Sequence, residues 1–259
     1  MNIGRILFLV TVSLAGAPAQ PPARLSIAAA SDLQSILPAL AERFERETGR
    51  RATLTFGSSG NFFSQIRNGA PFDLFFSADV EYPTRLEAAG LTEPGSRYPY
   101  GIGAIVLWTR SDSGLDLNRG LEVLTDTRVR HIAIANPEHA PYGRAAVAAL
   151  KHERLYDRVR AKFVLGENVS QAAQFVQSGN AEAGLIALSL ARAPSLRNSG
   201  VYVDVPASFY PPIDQTAVIL RTSRQKDAAR QFLMFLGRPD IVQALTDAGF
   251  AGPRRVTVS

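Results

Sequence analysis

Four loops of this sequence place small residues and hydroxyl or amide residues between an apolar run and a helical pattern. They cover residues 28–32 (Ala-Ala-Ala-Ser-Asp), 57–60 (Gly-Ser-Ser-Gly), 136–143 (Asn-Pro-Glu-His-Ala-Pro-Tyr-Gly) and 166–170 (Gly-Glu-Asn-Val-Ser). The first N–H groups of a helix have no partner within it, and each helix start carries about half a positive charge. Several converging helix starts bind an anion without a cationic side chain. These loops therefore predict an anion site.

Each loop also has a purely structural interpretation. Ser31, Ser59 and Ser170 stand where serine commonly caps a helix N-terminus. For any single loop a cap is the commoner explanation, whereas four loops of one design favour a ligand. The alanines before Ser31 and the glycines around Ser59 also let a ligand approach the backbone closely. This pattern does not identify the anion.

The elements around these loops alternate between strands and helices. Residues 25–30, 72–76, 132–135 and 184–188 are apolar runs typical of buried strands, and helical spacing of apolar residues follows them. Such alternation predicts doubly wound α/β sheets, which bind ligands beyond the carboxyl ends of their strands. The loops belong at those ends.

The strands are too many for one sheet, so we expect two sheets in two lobes. The natural crossings between them lie near residues 98–105 and 204–216. Lobe 1 is predicted to comprise residues 24–102 and 216–259, and lobe 2 residues 103–215.

The N-terminus predicts secretion. Arg5, the apolar run 6–14 and the small residues 15–17 have the order of a signal peptide, which we assign to residues 1–23. The run is too short for a permanent membrane span. The chain has no cysteine, which excludes disulfides, thiolate metal sites and an N-terminal lipid acceptor. We therefore expect a protein that is free in the periplasm.

The charge of the chain argues against nucleic acid as a partner. The formal net charge is +5, but the basic residues are scattered, and Arg50-Arg51 and Arg254-Arg255 are their only adjacent pairs. Nucleic-acid binding needs a basic stripe or a basic helix, and neither is present in the sequence.

At the predicted loops the sequence resembles a known family. The first three loops, the segment 69–79 (Gly-Ala-Pro-Phe-Asp-Leu-Phe-Phe-Ser-Ala-Asp) and Gly249-Phe250 form an ordered set over residues 25–250. This set resembles the periplasmic molybdate-binding proteins of ABC importers. The resemblance implies a two-lobed periplasmic binding protein fold of type II, with two doubly wound mixed sheets joined by a hinge that closes on the ligand.

The resemblance also implies a function. It predicts high-affinity binding of molybdate and tungstate and delivery of the anion to the membrane permease of an ABC importer. It implies a monomer without a cofactor. It does not imply an enzyme.

The resemblance assigns site residues one by one. Ser31 and Ser59 would donate hydroxyl and backbone N–H hydrogen bonds to the oxyanion, and Tyr142 and Val169 would donate backbone N–H groups. Ala78 would form part of the wall. All are contacts to oxyanion oxygens, and none ligates the metal atom directly.

Two positions need separate treatment. The resemblance places Ala187 at the second-lobe wall, where better-known members carry a tyrosine whose hydroxyl contacts the ligand. We hypothesise that the Tyr142 hydroxyl replaces this lost donor. Asp32 would repel a dianion if its carboxylate faced the ligand. We expect its side chain to turn away and cap the helix while its backbone N–H faces the ligand. Alternatively, it accepts a proton from a ligand such as hydrogen phosphate.

A serine hydrolase is one rival interpretation. Ser31 or Ser59 would then need a base within reach. His131 opens a strand, His152 lies on an exposed helical face, and His139 has no recognisable orienting partner. No nucleophile elbow, zinc-protease helix or Walker loop occurs in the sequence.

Other ligands are the second rival. Two-lobed iron carriers use clustered tyrosines, and Tyr142, Tyr202 and Tyr210 lie in the second half of this chain. Without a carboxylate and histidine set beside them, we assign Tyr202 and Tyr210 to packing or the hinge. Sulfate and phosphate remain alternatives for the same fold.

Overall fold

The structure is a computed structural model, and it describes residues 24–254. The predicted signal peptide, residues 1–23, lies outside the described residues. No helix within 24–254 has both the length and the apolar composition needed to cross a membrane.

The described residues form ten strands in two five-stranded sheets. In chain order the strands are β1 (Leu25–Ala30), β2 (Ala52–Gly57), β3 (Leu74–Ser77), β4 (Tyr98–Gly103), β5 (Ile105–Arg110), β6 (Ile132–Ala135), β7 (Phe163–Gly166), β8 (Ala183–Ala187), β9 (Gly200–Asp204) and β10 (Ile213–Ile219). The helices are α1 (Leu37–Thr48), α2 (Ser59–Arg67), α3 (Glu81–Ala88), α4 (Pro141–His152), α5 (Tyr156–Val159), α6 (Val169–Gln177), α7 (Leu188–Arg192), α8 (Pro194–Arg197), α9 (Lys226–Leu236) and α10 (Pro239–Asp247).

Both sheets are mixed, as predicted. The first has the order β2-β1-β3-β10-β4, with β1 parallel to β2 and β3 and with β10 antiparallel to its two neighbours. The second has the order β7-β6-β8-β5-β9, with β6 parallel to β7 and β8. The chain passes between the sheets after β4 and again between β9 and β10. The two-lobed α/β fold is thereby confirmed.

Each lobe has its own apolar core. In lobe 1 the ring of Phe44 on α1 packs edge-on against Phe232 and Phe235 of α9, with ring centroids 5.0 and 5.5 Å apart. In lobe 2 the fully buried Trp108 of β5 lies in a cluster with residues of β6, β8, α4 and α6. The central strands β1, β6 and β8 are almost completely buried, which explains their continuous apolar sequence.

One element differs from the sequence pattern, and the start of another follows from Pro38. Residues 102–109 look like one strand, but Ala104 divides them into β4 and β5, which belong to different sheets. A Cβ on Gly103 would collide with the Tyr142 hydroxyl, so this crossing requires glycine. The first loop continues as a 3-10 helix, Ser31–Ser35, and the regular helix α1 begins at Leu37. Pro38 explains this start, because proline lacks an N–H and is tolerated in a first helical turn.

Candidate functional site

The four predicted loops meet at one small cavity between the lobes. The first two loops follow β1 and β2 of the first sheet, and the other two follow β6 and β7 of the second. The cavity is lined by six of the seven residues to which a site role was assigned: Ser31, Asp32, Ser59, Ala78, Tyr142 and Val169. Ser58 and Asn168 line it as well.

The helix caps fall on neighbours of the predicted serines. Ser58 caps α2 by accepting from the Asn61 N–H at 3.3 Å, and Asn168 caps α6 by accepting from the Gln171 N–H at 3.0 Å. The purely structural interpretation of Ser59 and Ser170 as caps is therefore wrong. The side chain of Ser59 does not cap α2.

Two buried serine hydroxyls lie on the cavity. The Ser59 Oγ accepts a hydrogen bond from the Ala78 N–H at 2.9 Å, and the Ser31 Oγ accepts one from the Ser170 N–H at 3.3 Å. Within the described part of the chain, neither hydroxyl donates a hydrogen bond. Since a hydroxyl both accepts and donates, each serine retains one donor for a ligand.

Lobe 2 contributes two helix starts. Tyr142 is the second residue of α4, after Pro141, and Val169 is the first residue of α6. N–H groups at these positions have no partner within the helix. Together with the serine hydroxyls they supply donors from both sides of the cavity.

Asp32 connects the lobes beneath the cavity. Its Oδ2 accepts from the Tyr142 hydroxyl at 2.9 Å and from Nε2 of Gln215 at 2.6 Å. Tyr100 completes the network by donating to Oε1 of Gln215 at 2.6 Å. Burial raises the pKa of the Asp32 carboxyl to about 6, although the bonds from Gln215 and Tyr142 oppose the shift. Asp32 does not cap the 3-10 helix, for which no side chain forms a cap bond.

The network also places the Tyr142 hydroxyl. Burial and the nearby Asp32 charge raise the pKa of this tyrosine well above 10, so it remains a neutral donor. Its proton is directed to Asp32. The hypothesis from the sequence is that this hydroxyl donates to the ligand in place of the missing tyrosine. In the structure it donates to Asp32 instead, so Asp32 competes with the ligand for this proton.

Ala187 is not at the cavity wall. It ends β8, pairs with Ile105 of β5 and is fully buried in the core of lobe 2. The residues that line the cavity do not include Ala187, so the predicted wall position is corrected.

The lobes contact each other directly around the cavity. The Gly60 N–H donates to the His139 carbonyl at 2.9 Å, and the His139 Nδ1 lies 2.9 Å from the Ser58 Oγ. On another side, Arg144 forms an ion pair with Asp79 at 2.6 Å. Burial raises the pKa of the Asp79 carboxyl, and the Arg144 charge opposes the rise. These contacts close the two lobes over the cavity.

The cavity is electrically neutral apart from Asp32. No cationic side chain is among its described lining residues. Arg144, the cation at the lobe junction, is engaged by Asp79. An anion in this cavity would be held by hydroxyl groups, backbone N–H groups and helix dipoles.

The features expected of the rival sites are dispersed. The His139 ring contacts Ser58, while His131 and His152 contact the surface carboxylates Glu182 and Glu153. Within residues 24–254 no group of three or more histidine or carboxylate side chains is placed to hold a metal ion. The three tyrosines of the ferric hypothesis lie apart, since Tyr142 is at the cavity, Tyr202 is exposed on β9, and the Tyr210 hydroxyl accepts from the Ile105 N–H.

Sequence and structure comparisons agree on the relatives. The molybdate-binding protein ModA of Azotobacter vinelandii is 36% identical over 249 residues, which cover 96% of this chain and 98% of that protein. ModA of Rhodobacter capsulatus is 37% identical over 207 residues, or 80% of each chain. The solved A. vinelandii periplasmic molybdate-binding protein superimposes with a TM-score of 0.84 and 38% identity, covering 89% of this chain and all of that one.

The family assignment rests on nearly the whole described chain. The sequence profile of the bacterial extracellular solute-binding proteins matches residues 25–251, which include all four loops and both sheets. The resemblance seen in the sequence is confirmed. The chain belongs to the family of bacterial extracellular solute-binding proteins.

Proposed function

We propose that this protein binds molybdate and tungstate in the periplasm and delivers them to the membrane permease of an ABC importer. One observation carries the proposal. The buried hydroxyls of Ser31 and Ser59 each accept a backbone hydrogen bond, and each keeps its own proton for a ligand opposite the helix starts at Tyr142 and Val169. The names of the similar proteins support this choice of anion.

A cavity of donors favours an anion that carries no proton. Hydrogen bonds to a charged group contribute about 1.5–3 kcal/mol each. Half a dozen of them offset the desolvation of the anion and the closure of the lobes, leaving roughly 8–12 kcal/mol, which corresponds to micromolar to nanomolar affinity. Molybdate is fully deprotonated near neutral pH, so it meets this requirement.

Size separates the candidate anions. Molybdate and tungstate are nearly equal in size, so a rigid cage of donors hardly distinguishes them. Sulfate is smaller, and its oxygens do not reach donors on both lobes at once. The cross-lobe bonds from Gly60 to His139 and from Arg144 to Asp79 fix the width of the cage.

Closure links binding to delivery. A ligand that bonds to both lobes binds the closed form better than the open form and shifts the population towards it. The permease would then recognise the closed arrangement of the two lobe surfaces. We further propose that the protein acts as a monomer without catalysis, after removal of residues 1–23.

Calorimetric titration tests the proposal directly. Protein comprising residues 24–259 is titrated with molybdate, tungstate, sulfate, phosphate and ferric citrate. We expect tight binding of molybdate and tungstate at one site per chain and binding of sulfate that is weaker by a hundredfold or more. Preferential binding of phosphate, sulfate or ferric ion would overturn the proposed ligand.

A further inference from the structure

The carboxyl group of Asp32 lies at the cavity proposed to bind an anion with two negative charges. Asp32 lines the cavity and is the one acidic residue among its described lining residues. It is completely buried. A buried carboxylate beside a dianion is strongly unfavourable, because like charges repel and burial excludes the solvent that would screen them.

The hydrogen bonds of Asp32 are one-sided. Tyr142 and Gln215 both donate to Oδ2, whereas Oδ1 has no hydrogen-bond partner within the described residues. An unpaired, buried carboxylate oxygen is costly. A proton on Oδ1 removes the charge and leaves Oδ2 as the acceptor of both existing bonds.

Closure creates this environment. Tyr142 and Ser189 belong to lobe 2, and both contact Asp32: the Tyr142 hydroxyl donates to its side chain, and the Ser189 hydroxyl donates to its carbonyl at 2.8 Å. When the lobes separate, these contacts break and water reaches the carboxyl group. The burial of Asp32 is therefore coupled to the position of lobe 2.

We propose that Asp32 takes up a proton when the lobes close on the anion, so that a neutral carboxylic acid stands beside the bound oxyanion; this inference rests on the proposed function. The proton comes from solvent and binds to Oδ1. No bond of the anion breaks. Release of the anion returns the proton to solvent.

The direction of the pKa shift agrees with this geometry. Burial raises the pKa of Asp32 to about 6, against the opposing hydrogen bonds from Gln215 and Tyr142. A dianion in the adjacent cavity raises the pKa further, since it disfavours the charged carboxylate. Near neutral pH the open protein is thus ionised at Asp32 and the closed complex is protonated, so affinity falls as the pH rises.

The neighbouring groups do not account for such an uptake. Tyr100 and Tyr142 face Asp32 from β4 and α4, and burial raises the pKa of both hydroxyls well above 10. Gln215 faces it from β10 and does not titrate, while Asp214 of that strand pairs with Arg254 at 3.4 Å.

Four charged or titratable side chains remain around the cavity. Asp79 and Arg144 are paired with each other at the lobe junction. On α7, the Ser189 hydroxyl donates to the Asp32 carbonyl, and Arg192 lies at the C-terminal end of that helix. His139 contacts Ser58, and histidine is the residue type that changes charge near neutral pH. His139 therefore needs its own control.

Proton-linked calorimetry tests the inference. Molybdate is titrated into residues 24–259 at pH 7 in PIPES and in Tris, whose ionisation enthalpies differ, and the difference in heat gives the protons taken up. We expect an uptake approaching about one proton per bound anion, and an affinity that falls by up to about tenfold per pH unit between pH 6.5 and 8. Asp32→Asn is expected to abolish both effects, and His139→Gln to keep them.

The outcomes are distinct. If molybdate gives no binding at all, the proposed function fails. If it binds with no proton uptake, or if Asp32→Asn keeps the uptake of the unmodified protein, the present inference is overturned. Should Asp32→Asn not fold, loss of the uptake in His139→Gln overturns the inference, and its persistence there supports it.

Discussion

The hydroxyl of Tyr142 lies 2.9 Å from Oδ2 of Asp32, and this bond joins the first turn of α4 in lobe 2 to the loop after β1 in lobe 1. The two residues are 110 positions apart in the chain. Because both also line the cavity, the contact ties closure of the lobes to the site itself.

Removal of the Tyr142 hydroxyl tests what it bonds to. Tyr142→Phe retains the backbone N–H and loses the bond to Asp32, so we expect molybdate affinity to fall by roughly fivefold, the equivalent of about 1 kcal/mol. Tyr202→Phe, a change on an exposed tyrosine, is the control and should have no effect. A loss beyond about a hundredfold would instead indicate a direct bond from this hydroxyl to the anion. Calorimetric titration measures both variants.

Ser59 is expected to be a direct ligand donor. Ser59→Ala removes that donor and also leaves the Ala78 N–H without its acceptor. Molybdate affinity should decrease by about ten- to a hundredfold, since a hydrogen bond to a charged group contributes about 1.5–3 kcal/mol. Ser64→Ala on the exposed face of α2 is the matched control. Equal affinities of the two variants would exclude Ser59 from the site.

The adjacent serines of the second loop, Ser58 and Ser59, show how much of the site the sequence predicts. The position of each loop follows from strand and helix patterns, because parallel strands bring their carboxyl ends to one edge. The patterns do not decide between Ser58 and Ser59, since adjacent serines differ only in which one points to the helix axis. The structure assigns the cap to Ser58 and leaves Ser59 on the cavity.

The contacts around Asp32 were beyond the sequence. Gln215 and Tyr100 hold the Asp32 network together, yet each lies within an ordinary strand pattern and gives no signal of its own. Beside the division of residues 102–109 at Ala104, Gly103 packs against the Tyr142 side chain, which is also a long-range contact. Local periodicity determines elements, whereas pairing between lobes depends on tertiary packing.

Gly60 is expected to act on closure more than on folding. A Cβ at this position would lie 2.6 Å from the His139 carbonyl oxygen, which belongs to the opposite lobe and is backbone. It would also lie 2.6 Å from the Tyr82 hydroxyl of the same lobe, which is the end of a long side chain and can shift more easily. Gly60→Ala should therefore leave the melting temperature of the ligand-free protein nearly unchanged and strongly reduce the increase produced by molybdate. Gly252→Ala, where a Cβ has open space, is the control. A normal molybdate-induced shift in Gly60→Ala would contradict this role. Thermal-shift assays provide the measurement.

The ion pair between Arg144 and Asp79 should contribute less to molybdate affinity than Ser59 does. It joins the lobes at 2.6 Å, but the Arg144 side chain is 37% exposed and therefore partly screened by solvent. Arg144→Met is expected to speed molybdate release and to weaken binding by less than about tenfold, with a smaller difference at high salt. Arg160→Met, which breaks an exposed pair within lobe 2, is the control. Stopped-flow release kinetics at two salt concentrations test this, and equal release rates would rule the pair out as a closure contact.

Asp32 should make the stability of the closed protein depend on pH. Its pKa of about 6 in the closed state lies above the value of about 3.9 in unfolded chains, so the folded state binds more protons between these values and stability falls as the pH rises. The penalty is absent below pH 4 and reaches at least about 3 kcal/mol above pH 6, at 1.36 kcal/mol per pKa unit. Asp32→Asn removes it while keeping an acceptor for Tyr142. In denaturant unfolding with saturating molybdate, the advantage of Asp32→Asn over the unmodified protein should grow from pH 4 to pH 7. An advantage of constant size across that range would show that the pKa of Asp32 is not raised in the closed state.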